Sequence, residues 1–320
     1  MNATPAVTVV FATHNGGAVL QRTLEAFGAL QAPPGGWQLR VVDNRSTDDT
    51  PERLRALQQA GRLPLTVLHE ARQGKNHALN TGLQGVNEGL VVFTDDDVLP
   101  APQWLCLLVA AAHAQPGFDL FGGAIVPDWP QQPPPWLQHT TNLGMLYAAT
   151  PAHARGPVAA GAIWGPNMAV RARALPAGDV FNTRVGPDGS AKYAMGSETE
   201  LLNRLERGGH RAWFEPEAVV RHQIRPAPLA RSWVLQRYFR FGRSAYLHDH
   251  RRNPGDAFIF GVERWLRVQA VRAWCHSQWL GLTAAAADRE RIRAEERLQF
   301  VRGQIFQSGV AHRESQEVRP

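Results

Sequence analysis

With 320 residues, 44% hydrophobic and 19% charged, the chain can bury one large core or two modest ones, and its mixed composition excludes a disordered, collagenous or coiled-coil protein as a whole. Its net charge of +6 is unevenly spread, −3 through Val220 and +9 from Arg221 onward, so a mildly acidic body precedes a basic C-terminal region. Two cysteines, Cys106 and Cys275, exclude a disulfide framework, no Cys/His spacing points to zinc, and a reducing compartment is expected.

The stretch from Met1 through Pro5 has neither the basic flank nor the long apolar run of a signal peptide, and none is expected. Val7–Phe11 reads as the first strand, Leu39–Val42 as the second, Leu65–Leu68 as the third and Leu90–Phe93 as the fourth. Between the first two, Leu20, Leu24 and Phe27 recur at helical spacing; after the second, Thr50 is placed to cap a helix with Pro51 in its first turn. This alternation predicts an α/β fold, a mostly parallel sheet flanked by helices. Each strand ends in polar residues, and in open α/β sheets ligands bind beyond the carboxyl ends of the strands. The periodicity weakens from Gly117 to Val185, where the Pro-rich run 127–135 reads as a surface loop. A late strand through Ala218–Val220 ends at His222, and beyond Pro228 the chain becomes helical and rich in Arg and Trp. The last helix is expected to open near Asp288 and stop before Gly309. The expected domains are therefore 1–228 and a helical basic region, 229–320. No apolar run approaches the roughly 18 residues that span a bilayer.

Three carboxylates, Asp95, Asp96 and Asp97, follow the fourth strand directly. Packing them together is costly unless a cation offsets their charge, and oxygen ligands suit Mg²⁺ or Mn²⁺. The same triplet could instead be an acidic turn before the helix at Trp104. Farther on, Gly196-Ser197-Glu198-Thr199-Glu200 opens a helix whose buried stripe is Leu201, Leu202 and Leu205. Ser197 and Glu200 form a capping-box pattern, which leaves Glu198 either to project from the first turn as a general base or to serve as a dipole-favourable acid at the helix start. Lys75, in Gly74-Lys75-Asn76, could meet a phosphate, but the spacing is not that of a Walker loop.

Taken in order, Thr13-His14-Asn15, Asp43-Asn44-Arg45-Ser46, Arg72-Gln73-Gly74-Lys75, Asp95-Asp96-Asp97, Gly165-Pro166-Asn167, Gly196-to-Leu201 and His222 resemble family 2 glycosyltransferases of the GT-A fold over roughly Thr8 to His222. The resemblance implies an inverting transfer of sugar from a nucleotide-diphosphate donor of UDP or dTDP type to a hydroxyl of a glycan or lipid-linked acceptor, in cell-surface polysaccharide synthesis. It implies that Thr13, Asn15, Asp43, Arg72, Gly74, Lys75, Asp95 and Asp96 border the nucleotide, that Asp97 and His222 hold Mn²⁺ or Mg²⁺, and that Glu198 is the base. Ser197 departs from the acid pair of the family, with Glu200 as the fallback base. Trp164 and Asn167 are expected beside the acceptor. The Arg- and Trp-rich C-terminal helices suit either an anionic membrane surface, which would place a cytoplasmic protein peripherally at the membrane, or packing over the body or a dimer contact; nucleic acid is not an expected partner. The competing readings are a nucleotidyltransferase making nucleotide sugars and a degenerate nucleotide-binding scaffold.

Overall fold

The computed structural model describes residues 6–140, 142–249, 257–285 and 288–317. The chain divides into two compact units, one of 1–128, 147–189 and 197–224, the other of 129–146, 190–196 and 225–320.

The first unit is a nine-stranded sheet between two layers of helices. Its strands are β1 (Val7–Thr13), β2 (Trp37–Asp43), β3 (Leu65–His69), β4 (Leu90–Phe93), β5 (Val98–Pro100), β6 (Leu120–Asp128), β7 (Gly156–Val158), β8 (Met168–Arg171) and β9 (Ala212–Gln223). They lie in the order β3-β2-β1-β4-β8-β6-β9-β5, with β7 also on β9. The expected parallel arrangement holds across β3-β2-β1-β4. Beyond β4 the sheet is mixed, because β8 runs antiparallel to both β4 and β6 while β6 and β9 are parallel.

Alternation within β1 builds both layers. Val7, Val9 and Phe11 face one core, with Leu20, Leu24 and Phe27 of α1 (Gly17–Gly28), Leu54 of α2 (Thr50–Ala60) and Leu105 and Leu108 of α4 (Trp104–Ala114). Val10 faces the other, with Leu79 of α3 (Lys75–Gly82) and Leu201, Leu202 and Leu205 of α6 (Ser197–Arg207). A continuous apolar strand covered on both faces is what a buried parallel sheet requires. The β6/β9 register shifts between Gly123 and Ile125, where a Cβ on Gly123 would stand 2.0 Å from the Ala218 carbonyl oxygen; only glycine permits this approach.

The second unit contains α5 (Leu143–Tyr147, its last residue in the first unit), α7 (Arg231–Asp249), a hairpin of β10 (Phe258–Ile259) and β11 (Val262–Glu263), α8 (Arg264–Thr283) and α9 (Arg289–Glu317). α7 and α9 meet at paired glycines: a Cβ on Gly242 would collide with the Phe300 carbonyl, and one on Gly303 with that of Phe239. The buried Glu263 carboxylate accepts hydrogen bonds from the Tyr246 and Ser308 hydroxyls. Helix α9 does not stop before Gly309 but continues to Glu317. No described helix is long and apolar enough to cross a membrane.

Candidate active site

The carboxyl ends of β1, β2 and β4 converge, and the three aspartates after β4 point three ways. Asp96 is tied into the frame, its Oδ2 accepting from Thr13 Oγ1 at 2.6 Å and its carbonyl from Thr23 Oγ1 at 2.9 Å. Asp95 Oδ1 lies 2.6 Å from Lys75 Nζ, and the same ammonium lies 2.7 Å from Glu198 Oε1. Lys75 is the first residue of α3 and Glu198 the second of α6, so one cation joins the two helix N-termini to the end of β4. Burial works against the charged Lys75, yet Asp95 and Glu198 outweigh it and raise its pKa. Asp95 is itself shifted upward, chiefly by burial, with Glu198 and Asp97 adding to the shift and Lys75 opposing it.

Glu198 owes its position to Gly165, since a Cβ there would stand 2.6 Å from the Glu198 carboxyl carbon. The fallback, Glu200, is instead engaged by Arg204 at 3.2 Å, and Arg204 also donates to the Val180 carbonyl. An i,i+4 ion pair thus takes the place of the expected Ser197–Glu200 capping box.

Asp97 faces β9, where its Oδ1 lies 3.4 Å from His222 Nε2. His222 Nδ1 lies 2.7 Å from the Tyr147 carbonyl oxygen; a carbonyl only accepts, so Nδ1 carries a proton and Nε2 is the ring nitrogen directed at Asp97. Burial pulls the His222 pKa down, but the Asp97 charge outweighs it and raises the pKa. An imidazole oriented through Nδ1 to a backbone carbonyl, beside a carboxylate, is a donor set suited to a divalent cation. Among the described residues no group of three or more His, Cys, Asp and Glu side chains is arranged around a single point.

The loops beyond the carboxyl ends of the sheet are pinned by amides. Asn15, at φ 53°, accepts from the Thr47 backbone N–H at 2.8 Å. Asn44 accepts from the Gly74 N–H at 2.9 Å and donates to the Glu70 and Arg72 carbonyls. Asn76 donates to the Asn182 and Val185 carbonyls, and Asn80 exchanges two bonds with the Phe181 backbone. Asp43 is buried, one oxygen accepting from the Ser46 N–H and the other 3.2 Å from His69 Nδ1. Arg72 is exposed and clasps the Glu70 carboxylate.

Several expectations change. Lys75 was expected at a phosphate but pairs with two carboxylates. The Thr13 hydroxyl is buried and donates to Asp96, which ties the aspartate-bearing loop after β4 to the end of β1. Asn167 is fully buried: it accepts from Trp104 Nε1 at 2.8 Å and donates to the Ala124 and Ala218 carbonyls, which removes it from the acceptor side. Trp164 is half-buried against the sheet core. Asn44, Asn76, Asn80 and Gly165 were not expected as site builders; Asn at a strand end was the available signal for Asn44, and the turn-into-helix run 74–80 for Asn76 and Asn80.

The family model for glycosyl transferase family 2 matches residues 8–173, more than half of the chain. The chain belongs to glycosyl transferase family 2. The match takes in Asp43, Lys75 and the three aspartates and ends before Glu198 and His222. This family 2 chain is 31% identical over 121 residues to the glycosyltransferase AglE of Haloferax volcanii, covering 38% of this chain and 40% of AglE. It is 31% identical over 112 residues to the validoxylamine A glucosyltransferase of Streptomyces hygroscopicus subsp. limoneus, covering 35% of this chain and 24% of that one. The matched stretches thus span well under half the length of these curated relatives. Among solved structures, the mannosyltransferase PcManGT from Pyrobaculum calidifontis, in complex with GDP-Man and Mn²⁺, superposes with a TM-score of 0.59 at 21% identity, covering 95% of this chain and 87% of that one. TarS 1–349 of S. aureus, in complex with UDP-GlcNAc, gives 0.52 at 14%, covering 98% and 93%. At such identities the likeness is one of fold.

Proposed function

We propose that this chain transfers a glycosyl unit from a nucleotide-diphosphate sugar to an acceptor hydroxyl in a single inverting displacement, with Glu198 as base. The observation that carries this reading is the Asp95–Lys75–Glu198 bridge beside the Asp97–His222 pair, all at the carboxyl end of the sheet. Glu198 takes the proton of the acceptor hydroxyl as its oxygen attacks the anomeric carbon; the bond from that carbon to the diphosphate breaks, and the nucleoside diphosphate leaves with the electron pair. Lys75 holds Glu198 ionised and aimed. Asp97 and His222 would hold Mn²⁺ or Mg²⁺, and such an ion, when bound, offsets the charge gathering on the leaving diphosphate. Asp43, at the end of β2, serves the base of the donor, for which UDP and dTDP sugars come first and GDP-mannose second. Trp164 precedes the glycine on which Glu198 rests, and its partly open ring suits a saccharide face, which supports a glycan or lipid-linked glycan acceptor in cell-surface polysaccharide synthesis.

The test is a donor screen with Mn²⁺ on wild type, Glu198→Gln and Asp97→Ala. Glu198→Gln should lose about 10²–10⁴ in turnover with nucleotide binding retained, and Asp97→Ala should lose the metal-dependent part of that binding. Unchanged turnover in Glu198→Gln would remove the base assignment.

A further inference from the structure

Helix α8 is built the wrong way round for a helix facing water. Its buried side is thin, made of Leu266, Ser277 and Leu280. The opposite side carries Val268, Val271, Trp274, Trp279 and Leu282, with Trp279 60% and Leu282 89% exposed. A helix on the surface of a soluble domain normally turns charged and polar residues outward. Here the outward charges are Arg264, Arg267 and Arg272, and the 20-residue helix contains no Asp or Glu.

The hairpin before α8 extends the same surface. Its tip is Phe260, 92% exposed, followed by Gly261, and the strands beside it leave Phe258 and Ile259 open. Arg267 fastens this tip to the helix: Nε donates to the Ile259 carbonyl at 2.7 Å, and the guanidinium stands 5.5 Å from the Phe260 ring centroid. Exposed apolar side chains thus run from the hairpin tip along the helix, and every charged side chain of the helix among them is an arginine.

We propose that the outer face of α8, with the Phe260 tip, lies in the headgroup layer of an anionic lipid bilayer. Charge complementarity selects this occupant. Arginine without any acid matches a negative surface, while tryptophan rings supply apolar bodies with a polar edge, as the interface demands. Helix α8 is not apolar enough to span the bilayer, which leaves it lying in the surface. The inference stands apart from the transfer reading, because docking needs neither donor nor acceptor.

The full chain is tested by flotation with phosphatidylcholine vesicles, plain or containing about one-third phosphatidylglycerol, at low and raised salt. Wild type should float with the anionic vesicles and release as salt rises. The double variant Arg264→Gln/Arg272→Gln should lower that partitioning roughly ten- to thirtyfold. Trp274→Ser/Trp279→Ser, and separately Phe260→Ser, should lower it about tenfold each, with unchanged melting curves. Failure of wild type to float at low salt overturns the proposal, as does flotation indifferent to all three changes. A dimer in sedimentation that Trp274→Ser/Trp279→Ser dissociates, without flotation of wild type, overturns it in favour of a second copy of the chain.

Discussion

Replacing Lys75 by Met removes the cation between Asp95 and Glu198 and leaves their carboxylates facing each other. Both accept from one ammonium, at 2.6 and 2.7 Å, so the two oxygens are at most about 5 Å apart. At an effective dielectric constant of about 20 their repulsion is about 3 kcal/mol, in line with the loss usual when one partner of a buried pair is removed. Protonating either carboxyl relieves it. The Asp95 pKa is already raised by burial, and Lys75 is the group opposing that shift, so its loss pushes the pKa further up. A folded-state pKa above the unfolded one means stability present at low pH and lost as pH rises. Lys75→Met should therefore fall short of wild type by about 3 kcal/mol in urea unfolding near pH 8, with the shortfall shrinking toward pH 5. In a Glu198→Gln background the shortfall should be smaller, because the Asp95–Glu198 repulsion is gone, but not absent, because Asp95 still loses its cation. A shortfall constant with pH and equal in both backgrounds would refute the electrostatic account and make Lys75 a packing residue.

Two further outcomes follow from buried polar groups. Asn167→Ala strands the Trp104 indole N–H and the Ala124 and Ala218 carbonyls, so urea unfolding should show a loss of about 3–5 kcal/mol; a loss below about 1 would contradict the buried hydrogen-bond node. Glu70 is held down to about 2, first by the Arg72 hydrogen bonds, with burial opposing and Thr81 assisting. Its depressed folded pKa contributes stability above the ordinary value of 4.5, lost as pH falls toward 2. With Arg72 largely in solvent, Glu70→Gln should cost about 1–2 kcal/mol near neutrality and nothing near pH 2, which unfolding across a pH series would check.

The first four strands were legible because each is a short run rich in Val, Leu and other apolar residues that ends in polar ones, even where Thr8, Arg40 or Thr66 interrupts it. The second half of the sheet was not. The run Leu120–Asp128 contains two adjacent glycines and shows no alternation, because Gly123 is required by the Ala218 carbonyl rather than by a strand pattern. Asp95–Asp97 could be found by composition and position, whereas their three separate directions depend on Thr13, Lys75 and His222, which are far away in sequence. Thr50 was expected as a cap, but its hydroxyl accepts from the Gly16 N–H, and Asp48 serves its own N–H instead. Glycine misled at the C-terminus as well: inside a helix it costs about 1 kcal/mol relative to alanine, yet α9 runs on through Gly309 to Glu317.

The amide pins have an evolutionary consequence. Asn44, Asn76 and Asn80 fasten the loops to one another through backbone groups, so the identities of the side chains between them do not enter these bonds. A residue such as Thr183 can change character while the frame around Lys75 stays in place, whereas Ser46 and Thr47 bond Asn15 directly. A lineage built this way can drift toward new ligands by point substitution at the rim, and its diversity should gather between the asparagines rather than at them.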